Sequence, residues 1–154
     1  MKQKILIVDG HSMIFQWPEL ARDYAARGAS VRESLVRLLT SLQDNSDWTV
    51  AVVFDGRGAK ASSEGKPDGI KVFYSKDGQA ADAIIERLTA KYASDCDVTV
   101  ATDDRLERTT VESFGAISIS SRQLQSEIEA AERDIQTAIL GLSDCSRALP
   151  PQTS

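Results

Sequence analysis

A chain of 154 residues with 42% hydrophobic and 27% charged residues lies in the globular range, which excludes fibrous and disordered classes and suffices for one domain with its own core. Its net charge of −5 and pI near 4.9 argue against a partner held mainly through phosphates, since neutralising phosphates takes Lys and Arg. No apolar run approaches the roughly 20 residues of a membrane helix, and MKQKILIVDG meets an acid too early for a signal peptide; Cys96 and Cys145 fit no metal-ligand spacing, so a cytoplasmic protein with reduced thiols and no membrane partner is expected.

In chain order, Ile5-Leu6-Ile7-Val8 is too short for a helix and too continuous for a half-exposed strand, so it predicts a strand buried on both faces that stops at Asp9-Gly10. Trp17-Pro18-Glu19-Leu20 reads as the start of a short helix that ends at Gly28. Ser30 and Glu33 form an S-x-x-E capping box, and Val31, Leu35, Leu38, Leu39 and Leu42 share one face, which predicts an amphipathic helix over 31–43. WTVAVVF, residues 48–54, is a second strand and again stops at an acid and a glycine, Asp55-Gly56.

Residues 56–69 have no period and predict a long loop; with their flank to Gln79 they carry a local balance of +2, against −7 for the rest of the chain. Ile70–Tyr74 is a third strand, followed by a helix near Gln79–Ala93 on which Asp82 and Glu86, four apart, lie side by side near the N-terminus. Asp97–Ala101 is a fourth strand ending in Thr102-Asp103-Asp104, and Arg105–Phe114 a short helix. Ala116–Ser120 is a fifth strand, and Leu124, Ile128, Ile135 and Ile139 predict a long helix ending near Gly141. Residues 1–145 then form a single domain and 146–154 a disordered tail. Alternating strands and helices predict an α/β fold: a central, mainly parallel sheet of about five strands, covered on both faces.

In a parallel sheet the strand C-termini share one edge, so Asp9, Asp55 and Asp103/Asp104 are expected there, joined by Asp82 and Glu86. Crowded carboxylates repel unless a cation neutralises them, and oxygen-only ligands suit Mg²⁺ or Mn²⁺ rather than zinc. Such a site serves metal-assisted hydrolysis of a phosphodiester. Each acid also has a plainer role as a turn or helix-cap residue, and one of Asp103 and Asp104 is expected to cap the helix that follows. Arg32 is a candidate phosphate contact from the second helix, and His11, the single histidine, a candidate rim residue.

Taken together, ILIVDGHSMI with WPEL close behind, the Arg32 helix with its leucines, VVFDG, KVFYSKDG followed by QAADAIIERL, and VATDD resemble the PIN-like nucleases of the NYN type, specifically the YacP-like group, over about residues 4–125. The resemblance implies a three-layer α/β/α PIN-like fold and metal-dependent endoribonuclease activity on single-stranded RNA, with mRNA on the translating ribosome as the setting. It implies Asp9, Asp82 and Asp104 as metal-site acids, Glu86 near them and Asp55 at the edge of the site. Three positions depart from the group's pattern. Its Asp-Gly-Tyr-Asn is Asp9-Gly10-His11-Ser12 here, which puts a hydroxyl where substrate is positioned; the Thr before Ala-Asp is Ala80; and Thr-Ser-Asp is Thr102-Asp103-Asp104, an extra acid beside the site. These departures keep a second function in view, an RNA- or ribosome-binding module that does not cut. A phosphoacceptor or phosphatase domain is disfavoured: a receiver needs paired acids after the first strand, and a dehalogenase needs Asp-x-Asp where residue 11 is His.

Overall fold

The structure, a computed structural model, describes residues 2–20, 31–54, 69–76 and 80–148. Five strands, β1 (Lys4–Asp9), β2 (Trp48–Phe54), β3 (Lys71–Tyr74), β4 (Asp97–Ala101) and β5 (Ile117–Ile119), form one sheet in the order β3-β2-β1-β4-β5. Every pairing is parallel; Ile7, for example, lies opposite Ala51 on one side and Val100 on the other. The chain runs outward in one direction from β1 to β3 and in the other from β4 to β5, so the crevice between β1 and β4 is the topological switch point where such sheets bind ligands.

Helices cover both faces: α1 (Gly10–Gln16), α2 (Val31–Asp44) and α5 (Ser121–Ala148) on one, α3 (Ala81–Tyr92) and α4 (Arg105–Ser113) on the other. The period of two along β1 divides the core. Leu6 and Val8 pack with Met13, Leu35, Leu39, Leu124 and Ile128, while Ile7 packs with Ile85, Val98, Val100 and Val111. A strand flanked by strands and covered on both sides needs apolar residues at successive positions, which is why ILIV carries no alternation. Trp17 belongs to the first of these clusters.

Two helices differ from the sequence reading. The helix α1 is not in the sequence reading, which only ends the first strand at Asp9-Gly10: Gly10 opens a helix whose Met13 is fully buried. A Cβ at Gly10 would lie 2.4 and 2.5 Å from two ring carbons of Phe54, so the glycine serves close approach of this helix to the end of β2. The helix α5 does not end near Gly141 but continues to Ala148, because a glycine in a helix interior costs only about 1 kcal/mol and does not oblige it to stop. Along its apolar stripe Leu124 and Ile128 are buried, whereas Ile139 and Leu140 are exposed. Among the described residues Gly115 does end a helix: its φ of +98° follows the α4 C-cap Phe114 and turns the chain into β5. Asp55, most of the basic loop, Ser30, Gly28 and the tail past Ala148 lie outside the described residues. Among the described residues no helix is long and apolar enough to cross a membrane.

Candidate metal centre

Two strand ends meet at the switch point, and Asp9 joins them. Its backbone is extended, it caps α1, and its Oδ1 accepts the backbone N–H groups of His11 at 3.1 Å and Ser12 at 3.4 Å. Its Oδ2 accepts the hydroxyls of Ser12 at 3.0 Å and Thr102 at 3.1 Å. Those hydroxyls in turn accept the backbone N–H groups of Asp103 at 3.2 Å and Asp104 at 3.2 Å. The corner after β1 is thus stapled to the corner after β4, some 90 residues later in the chain. A carboxylate offers about four acceptor positions, and on Asp9, which is buried, all are taken.

The next two acids point in opposite directions. Asp104 caps α4, its Oδ1 accepting from Leu106 N at 3.0 Å and Glu107 N at 3.4 Å. Asp103 turns to the start of α5, where its carboxylate accepts the backbone N–H of Ser121 at 2.9 Å and also the Ser121 hydroxyl. The expectation that one of the pair is a cap is met by Asp104, while both oxygens of the exposed Asp103 are engaged by the start of a neighbouring helix.

Glu107 completes the arrangement, and it was not singled out from the sequence. One turn into α4, it faces inward and is only 3% exposed, with neither carboxylate oxygen making a hydrogen bond. Ligand oxygens of Asp82, Asp104 and Glu107 all lie within 4.8 Å of one another. Burial raises the Glu107 pKa from 4.5 to about 8; the charges of Asp9, Asp82 and Asp104 push in the same direction, and the nearby Thr102 hydroxyl opposes them. The Thr102 hydroxyl itself donates to Asp9. The signal available in the sequence was Asp104-x-x-Glu107: in a capping box the glutamate returns to the N-cap N–H. Here Thr102 Oγ1 already accepts the Asp104 N–H, which leaves Glu107 turned into the crevice.

Of the other residues read from the sequence, Asp82 reaches the group from the first turn of α3, a helix whose N-cap position, Ala80, makes no side-chain capping bond. Glu86, one turn further on, is half-buried and is not a member of the three-acid group. Ser12 is a structural joint, its hydroxyl held between Asp9 and Asp103. Arg32 lies with its guanidinium over the rings of Phe54 at 5.2 Å and Tyr74 at 5.7 Å, beside the C-terminal ends of β2 and β3. His11 is exposed, its ring centroid 6.2 Å from that of Phe15.

A buried carboxylate without partners beside two others is the mark of a place for a cation, and an all-oxygen donor set fits Mg²⁺ or Mn²⁺. Octahedral ligands about 2.1 Å from Mg²⁺ stand roughly 3 to 4 Å apart, so these oxygens need close by only about an ångström. Asp9 joins such a shell only by releasing a hydroxyl of Ser12 or Thr102.

A family model described as a YacP-like NYN domain matches residues 6–148. The Bacillus subtilis (strain 168) protein YacP is 31% identical over 137 residues, which span 88% of this chain and 81% of that protein. The crystal structure of Rae1 (YacP) from Bacillus subtilis matches with a TM-score of 0.77 at 30% identity, covering 94% of this chain and 84% of that one. A mutant of the same protein gives a TM-score of 0.75, also at 30% identity, over 90% and 82%.

Proposed function

The chain belongs to the YacP-like NYN domain family, a nuclease-type fold, and on that premise we propose that it is a Mg²⁺- or Mn²⁺-dependent endoribonuclease of single-stranded RNA, acting in the cytoplasm on mRNA in association with the ribosome. The observation that carries this reading is Glu107, buried without a hydrogen-bond partner and facing Asp82 and Asp104. A side chain so placed is costly to the fold unless a cation completes it. Asp82, Asp104 and Glu107 would hold the ion, and Asp9 fixes the corner after β4 from which Asp104 and Glu107 project. When bound, the ion supplies a lowered water pKa and a counter-charge for the phosphate. The protein's part is to hold the acids at one rim, with Glu86 on the next turn of α3 as a candidate proton acceptor and Arg32 and Lys76 at the same edge as phosphate contacts. Asp55, which follows β2 directly, belongs to the same edge by its place in the sequence.

The test is cleavage of a labelled unstructured RNA by purified protein with Mn²⁺. Asp82→Asn and Asp104→Asn are each expected to reduce cleavage by a hundredfold or more, on the order of an essential ligand's contribution. Equal cleavage by the wild type and both variants would remove the reading. The full occupation of Asp9 by hydrogen bonds favours one alternative, a module that binds RNA or the ribosome without cutting. Retention on ribosomes with no metal-dependent cleavage is the result expected of it.

A further inference from the structure

The two most exposed of the large apolar side chains among the described residues are Phe15 and Leu106, each 80% exposed, and both belong to the helices that begin at the acids. His11 stands next to Asp9 and donates its backbone N–H to that carboxylate, and Phe15 follows one turn later on the same face of α1. Four residues of helix advance the surface by about 6 Å, so a line of two rings leads away from the acids. Leu106 holds the other side: its backbone N–H donates to Asp104 Oδ1, and its side chain projects from the first turn of α4, with exposed Arg105 beside it. Exposed rings thus follow the Asp9 corner on one side of the sheet, and an exposed leucine follows Asp104 on the other.

A partner with a continuous apolar face would leave these carboxylates buried and unpaired. A chain of planar bases joined by phosphates matches these groups, with its phosphate at the acids, across a metal ion, and its bases over the rings and the leucine. The bases must be unpaired, because in a duplex their faces are covered by stacking neighbours. We infer that His11 and Phe15 form a stacking platform, and Leu106 an apolar wedge, that seat the two nucleobases flanking the phosphate held at the acid group, so that the site takes single-stranded and not duplex nucleic acid. This rests on the RNA reading proposed above and names the groups that would position the strand. The exposed aromatic ring is suited to the task, since stacking on it is tolerant of base identity.

The experiment is equilibrium binding of the full chain to a short labelled unstructured oligoribonucleotide, followed by fluorescence anisotropy in Ca²⁺, with RNA integrity checked on a gel. Phe15→Ala is expected to weaken binding about tenfold, the effect of losing one stacked base. Phe15→Trp should bind as the wild type does, and Leu106→Ala should weaken binding severalfold. A duplex of the same sequence should bind the wild type more weakly and be insensitive to Phe15→Ala. Both alanine variants alter exposed side chains, so folding is not at issue. If the wild type binds the single strand and Phe15→Ala and Leu106→Ala bind it equally well, the platform is refuted while the RNA reading stands. If the wild type binds no single-stranded RNA, both fall.

Discussion

Replacing Glu107 with Gln removes the ionisable group from the least solvated position in the acid group while keeping its size. In the metal-free protein Glu107 has a pKa of about 8, against 4.5 in an ordinary environment. Below pH 4.5 it is protonated in both folded and unfolded chains and gives no pH slope. Between 4.5 and about 8 the folded state holds a proton that the unfolded chain has lost, so each rise in pH favours unfolding. Above about 8 both forms are ionised and the full penalty is present. At about 1.4 kcal/mol per pH unit the interval amounts to roughly 4 to 5 kcal/mol. Urea unfolding in EDTA across pH 5 to 9 should therefore show wild-type stability falling with pH more steeply than that of Glu107→Gln, by several kcal/mol over the range. The amide's own burial shifts its curve equally at every pH, so the slope is the measurement. Saturating Mn²⁺ should abolish the difference in slope from the wild-type side, because an ion that needs the carboxylate ionised displaces its proton. Identical slopes for the two metal-free proteins would refute the claim that Glu107 is held without a partner.

Asp103→Ala should cost about 1 to 2 kcal/mol of stability by freeing the N–H and hydroxyl of Ser121, and leave Mn²⁺-dependent cleavage near the wild-type rate; a loss of cleavage in correctly folded protein would return Asp103 to the site. Gly10→Ala drives a methyl group into the Phe54 ring and should destabilise by about 1 to 3 kcal/mol in thermal unfolding, since the ring is fully buried and has little room to yield.

The sequence by itself determined the layers and the edge. ILIV read as a strand buried on both faces and WTVAVVF as a second strand; Val31, Leu35, Leu39 and Leu42 read as one face of a helix; and strands parallel to one another place Asp9 and Asp104 at the same rim. Those conclusions rest on short continuous apolar runs and on the 3.6-residue period, which are local and survive without knowing what packs on what. Which acids meet was a different matter. Asp103 and Asp104 are adjacent and alike in the sequence, yet one caps α4 and faces the crevice while the other is taken by Ser121, because α5 begins within reach of only one of them. Glu107 looked like an ordinary first-turn glutamate until Thr102, oriented by Asp9 from across the sheet, accepted the N–H it would have capped. The direction a carboxylate faces is set by competing donors brought together from distant parts of the chain, so only the tertiary structure decided it.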